Sequence, residues 1–127
     1  MTEEDRLYQT ETITVHDGEM TIPFGDGTTT LTANLFAAKG ISRHFGGFQQ
    51  AMNKVASGDL EAFTAVVRYG MGIRSDTEGK FVEQQVFRAG ILRLTAPLTE
   101  FVLICANGGK PIDDVGGSPP DPKKDEA

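Results

Sequence analysis

The chain has 127 residues and a formal net charge of −6; domains run to about 100–200 residues, so it is read as a single domain. Folding at this size buries roughly 65–70 % of the unfolded surface, enough for a core without disulfide or metal. The acidity sits at the ends: residues 1–11 hold four acids against one arginine and residues 107–127 five against three lysines, which leaves the middle near neutral. With no basic cluster in the sequence to neutralise phosphate, nucleic acid is not expected as a partner.

In chain order, Thr12 to His16 alternates polar and apolar residues, the period of a half-buried strand. Asp17-Gly18 is a hairpin-tip dipeptide, and Met20 to Phe24 alternates again. Pro23 has no N–H for a ladder, so this strand is expected at an edge or bent there. Gly25-Asp26-Gly27 turns the chain, and Thr28 to Leu31 reads as a third short strand. The sum is a two- or three-stranded antiparallel ribbon. Alone it would be marginal, so it must lie against helices.

The stretch from Leu35 to Gly72 is the helical centre of the chain. Thr32 or Asn34 caps a first helix over about Ala33 to His44, with Leu35, Ala38, Ile41 and Phe45 inward and Gly40 weakening it by roughly 1 kcal/mol relative to alanine. Phe48 to Ala56 forms a second helix with Phe48, Met52 and Val55 on one face. Ser57-Gly58-Asp59 ends it and caps a third, Leu60 to Tyr69, whose inner face carries Leu60, Phe63, Val67 and Met71. Ser75 with Glu78 has capping-box spacing and opens a fourth helix to about Ala89, with Val82, Val86 and Ala89 inward. Thr95-Ala96-Pro97 is read as the start of a fifth helix, since proline suits a first turn. Leu98, Phe101, Val102 and Cys105 form its apolar face, and Asn107-Gly108 stops it. The expected fold is therefore α+β, mostly α: four to five helices with an N-terminal ribbon. Residues 1–11 are read as a flexible start, 12–106 as the folded domain, and 107–127 as a disordered acidic tail rich in proline and glycine.

Chemistry is sparse. His16, His44 and Cys105 fall in separate elements without the close spacing of a zinc or Cys–His site. Gly25-Asp26-Gly27 and Gly70-Met71-Gly72 lack phosphate-loop spacing, and Asp113-Asp114 lies in the tail, where no pocket of low dielectric can split the two carboxyl pKa values. No catalytic, cofactor-binding or metal-binding residue is assigned, and no partner-contact residue. The lone cysteine excludes an internal disulfide framework. No run reaches the ~18 apolar residues of a membrane span, and the start MTEEDRLYQTE is no signal peptide. The expectation is a soluble intracellular protein.

The order of features resembles a known family. A Thr-rich ribbon leads to a helix closing on Phe45-Gly46-Gly47; a helix of the form FxxAMxxVASGD follows from Phe48 to Asp59, then LEAFTAVVRYGMG, a polar break, a helix ending at Ala89-Gly90-Ile91 and a last apolar helix. Over about residues 12–106 this is similar to the tail assembly chaperones of long-tailed phages and the similar proteins of gene transfer agent clusters. The resemblance implies a non-catalytic chaperone with no cofactor, working in the bacterial host cytoplasm and absent from the finished particle. Its partners would be the tape-measure protein and the tail-tube protein, with homo-oligomerisation as a further expectation. The family's contact residues follow no motif, so none is transferred. In many phages a longer form arises by frameshifting. Pro122-Lys123-Lys124 can be written CCA AAA AAG, and Gly108-Gly109-Lys110 can be written GGG GGA AAG; both contain slippery heptamers, so reading the codons tests the point. Alternatives are a head–tail or tail-completion protein that stays in the particle, or a small enzyme with a site between subunits, marked by a pocket that places His44 near a carboxylate.

Overall fold

Alternation in the first third of the chain builds a three-stranded antiparallel sheet of order β1-β2-β3. The computed structural model describes residues 15–16 and 18–111. The strands are β1 (Val15–His16), β2 (Glu19–Phe24) and β3 (Gly27–Thr32), paired as Val15 with Met20 and as Met20 with Leu31. Met20, Ile22 and Leu31 are fully buried on one face, while Glu19, Thr21, Thr28 and Thr30 face solvent. Pro23 lies on the middle strand of this order. Phe24 and Gly27 close a two-residue turn, so the next pair, Pro23 with Thr28, is the one that exchanges no ladder bonds. The missing N–H therefore points away from β3. On that flank β1 pairs only with Glu19 and Met20, so among the described residues the proline removes no ladder bond.

Five helices follow: α1 (Leu35–Phe45), α2 (Phe48–Ala56), α3 (Leu60–Met71), α4 (Asp76–Ala89) and α5 (Ile91–Ala106). The fold is α+β and mostly α. Local chemistry sets most of the helix borders. Asn34 caps α1, its Oδ1 accepting from the Ala37 N–H at 2.9 Å. Asp59 caps α3 by accepting from the Glu61 and Ala62 amides at 2.9 and 3.2 Å. The Ser75 hydroxyl accepts from the Glu78 amide at 3.1 Å and reaches the Glu78 carboxylate at the same distance. Between α2 and α3, Gly58 at φ 77 lets the Asp59 amide turn back to the Lys54 carbonyl, a bond that closes α2 just before Asp59 starts α3.

Besides the strand of Pro23, which is the middle one and not an edge, three expectations change. The last helix begins at Ile91, not near Thr95, and Pro97 lies inside it. Gly90, at φ 99 and ψ 127, breaks the chain so that α5 leaves α4 at 116°. That corner puts Leu94 in line with the apolar stripe of Leu98, Phe101, Val102 and Cys105. Burial of Leu94 and of the proline ring offsets the bond that Pro97 cannot give to the Arg93 carbonyl. Second, Leu35 is 74 % exposed rather than inward, because α1 turns Ala37 and Ile41 to the core. Third, α3 is not one-faced: Ala62 to Val67 are all buried, since α1, α4, α5 and β3 surround it. Thr64, a polar side chain within this run, donates to the Leu60 carbonyl at 2.9 Å. Phe63 and Val67 are both fully buried, as the apolar spacing requires.

The composition boundary at Asn107 falls within the described residues. The Gly109 amide donates to the Ile104 carbonyl at 2.8 Å, and a Cβ on Gly109 would lie 2.6 Å from the Ala33 carbonyl oxygen, so the chain end of α5 lies close against the start of α1. Residues 1–11, expected to be flexible, and the expected tail beyond Pro111 lie outside the described residues.

Candidate functional site

The residues singled out for chemistry do not converge. His16 lies in β1, and its side chain is outside the described part of the structure. His44 stands exposed near the end of α1, its ring 4.7 Å from Phe45 and 6.0 Å from Tyr69. Cys105 lies in the core, where burial pushes its thiol up to about 12. A thiol held protonated at neutral pH is a packing group, not a nucleophile or ligand. Among the described residues no group of three His, Cys, Asp or Glu is placed to hold a metal ion.

Both glycine turns serve the fold. The Gly25 amide donates to the Gln85 carbonyl at 2.9 Å and Asp26 pairs with Arg88, so this turn is bolted to α4. Gly70 is inside α3, where a Cβ would lie 2.9 Å from Leu31 and 3.1 Å from Phe101. Asp113-Asp114 lies outside the described residues.

Two of the surface grooves gather charged side chains in number. The first, about 450 Å³, runs between α3 and α4 past His44, Glu61, Arg68, Asp76, Lys80 and Glu83. Gly79 opens it by letting the Arg68 guanidinium lie against α4, where a Cβ would be 2.7 Å from Cζ. Arg68 is then within 3.9 Å of Asp76 and donates to the Ser75 carbonyl at 3.5 Å, so it is spent on the entry to α4. Cations and carboxylates alternate along this groove, and its field largely cancels.

The second groove, about 460 Å³, is different. Lys39 and Arg43, one turn apart on α1, and Arg74 after α3 surround Phe36, Tyr69 and the exposed Leu35. The Arg74 guanidinium sits 4.5 Å from the Phe36 ring centroid, and Phe36 lies 6.2 Å from Tyr69. Gly40 makes this possible: a Cβ there would fall 2.2 Å from the Tyr69 ring, so the ring lies directly on the α1 backbone. Among the described residues no carboxylate lines the groove, and none of its three cations makes an ion pair. The periodicity of α1 carried part of this signal, because Lys39 and Arg43 fall on one stripe away from Ala37 and Ile41. Tyr69 and Arg74 come from later in the chain and had no local sign.

Large apolar side chains also stand out of the surface: Phe87 at 70 % and Leu92 at 94 % exposure flank the α4–α5 corner, and Phe81 packs its ring edge-on to Phe24 at 6.0 Å. Compared with known proteins, the chain matches no family model, no curated protein and no solved structure.

Proposed function

We propose that the protein is a non-catalytic tail assembly chaperone of a phage or prophage, working in the host cytoplasm and absent from the finished particle. On this reading it binds the tape-measure protein, keeps that long helical client soluble, and helps to recruit tail-tube subunits. The observation that carries it is the set of large apolar side chains left outward on otherwise well-packed helices: Leu35, Phe87 and Leu92 are 74, 70 and 94 % exposed beside a core that is complete without them. Such side chains, set on helix faces, suit the capture of an apolar helical client better than they suit chemistry. The order ribbon, helix to Phe45-Gly46-Gly47, helix, Ser57-Gly58-Asp59 link, helix supports the same resemblance.

The test is co-expression with the longest helix-rich protein encoded beside this gene. The client should move from the insoluble to the soluble fraction, and the two should co-purify. Mass spectrometry of purified particles should then lack this chain. Its presence there at a fixed stoichiometry would transfer the role to a head–tail or tail-completion protein.

A second reading, a small enzyme with a site between subunits, has one observation in its favour: His44 shares the α3–α4 groove with Glu61, Asp76 and Glu83. The groove is open, and among the described residues no hydrogen bond joins His44 to a carboxylate. Loss of client solubilisation in a His44→Ala variant would not follow from either reading; loss of a measured turnover would favour the enzyme.

A further inference from the structure

We infer that the groove between α1 and the α3–α4 link is a docking site for an acidic, apolar-anchored peptide segment of a partner protein. Three features point to such an occupant. Lys39, Arg43 and Arg74 converge on one concavity that no carboxylate lines among the described residues, in a chain with 18 acids and 12 basic residues. The positive end of α1 adds to that field, because its first turn carries no acid to offset it. At physiological ionic strength the Debye length is about 8 Å, so an incoming segment feels these local cations and not the net charge of the whole chain.

The apolar half of the groove specifies the rest of the occupant. Phe36 and Tyr69 form its wall and Leu35, 74 % exposed, stands at its rim. Carboxylates alone would leave these rings uncovered; a bulky apolar side chain flanked by carboxylates satisfies both halves at once. The wall is also preset. Arg74 rests over the Phe36 ring at 4.5 Å and Tyr69 lies on the bare backbone of Gly40, so little ordering remains to be done on binding. The mixed groove between α3 and α4 offers the contrast: Arg68 there already has Asp76 within 3.9 Å, and Lys80 shares the groove with Glu61 and Glu83.

The pocket's role is separable from the chaperone reading, since a tape-measure client can bind the apolar corner near Phe87 and Leu92 instead. The experiment uses fluorescence anisotropy with the full chain and a labelled peptide carrying a Leu-Phe centre flanked by glutamates. Binding should weaken as salt rises, and the double variant Lys39→Glu, Arg43→Glu should weaken it by about tenfold or more. Arg74→Glu and Phe36→Ala should each weaken it as well. A peptide with glutamine for every glutamate, and one with glycine for the Leu-Phe centre, should both bind poorly. Because Lys39 and Arg43 are exposed, the double variant should keep the wild-type circular dichroism and melting temperature, which separates lost docking from lost folding. Absence of probe binding to the wild-type chain overturns the inference, as does equal binding by the double variant or by the glutamine peptide. If a variant with Glu3, Glu4 and Asp5 changed to glutamine binds the probe where the wild type does not, the occupant is the chain's own acidic start and the partner inference falls. Should probe binding vanish on raising the protein concentration, as copies associate, a second copy is the occupant and the inference likewise falls.

Discussion

Gly40→Ala sets helix propensity against tertiary packing in a way that gives opposite signs in two backgrounds. In an isolated helix, alanine for an interior glycine stabilises by about 1 kcal/mol. In this fold the new methyl would meet the Tyr69 ring at 2.2, 2.5 and 2.7 Å, on Cδ1, Cε1 and Cγ, so the near edge of the ring is struck and not a flexible tip. Ordinary contact begins at 3.4 Å, so the ring must withdraw by more than 1 Å from a position that also touches Phe36 and His44. Overpacking of this kind costs roughly 1–3 kcal/mol. After the propensity gain, Gly40→Ala should destabilise the wild type by about 1 kcal/mol, a fall in melting temperature of roughly 4–8 °C for a domain this size. In a Tyr69→Ala background the obstacle is gone, and the same substitution should stabilise by about 1 kcal/mol. Urea unfolding of the four proteins of the cycle measures the coupling directly. A rise in stability on Gly40→Ala in the wild-type background would refute the reasoning, because it would mean that the Tyr69 ring swings aside freely.

Phe63→Ala, which removes a fully buried ring from the first turn of α3, should cost about 3–5 kcal/mol in chemical denaturation with little change in circular dichroism at zero denaturant. Burial raises the Cys105 thiol from 9.0 to about 12, so its contribution to stability is intact below pH 9 and fades as pH rises from there toward 12; the stability gap between wild type and Cys105→Ala should narrow across that window, and native Cys105 should resist alkylation until the protein unfolds. Truncation after Gly109 should leave the melting temperature almost unchanged, as the bonds lost from Asn107 to the Lys110 and Pro111 carbonyls are exposed or half-buried; a drop of several degrees would show that the tail docks on the body. Self-association is expected through β3, whose threonine-rich outer edge has no charge, proline or bulge to block pairing; sedimentation that stays monomeric at high concentration, with and without client, would count against it.

What the sequence made legible is what short-range chemistry decides. The Ser57-Gly58-Asp59 link, the Ser75–Glu78 cap and the strand alternation around Met20 and Ile22 each act within a few residues, and each was readable without a fold. The misreadings share the opposite trait. Pro97 suits a first turn, and only the placement of Leu94 against the core shows that the helix began six residues earlier at Ile91. Gly40 looked like a weak point in a helix, yet it, Gly70 and Gly79 are each a place where Tyr69, Leu31 with Phe101, or Arg68 occupies the space of the missing side chain. Those partners lie in other elements, so no periodicity announces them. The basic groove was legible only in part: Lys39 and Arg43 share a stripe of α1, whereas Tyr69 and Arg74 come from α3 and its exit.

The bolted hairpin turn provides a built-in reporter. An amide at the tip of a two-residue turn ordinarily trades its hydrogen with solvent almost at once. The Gly25 N–H is instead given to the Gln85 carbonyl, and Gly25 itself is buried against the Gln85 side chain, next to the Asp26–Arg88 pair in sequence. Deuterium can reach it only when α4 lifts from the sheet, so its protection factor reads the free energy of that partial opening, separately from global unfolding. A client that grips α4 should slow this one turn amide, and one that seats on α1 should leave it unchanged, which makes a single resonance a map of where the partner sits.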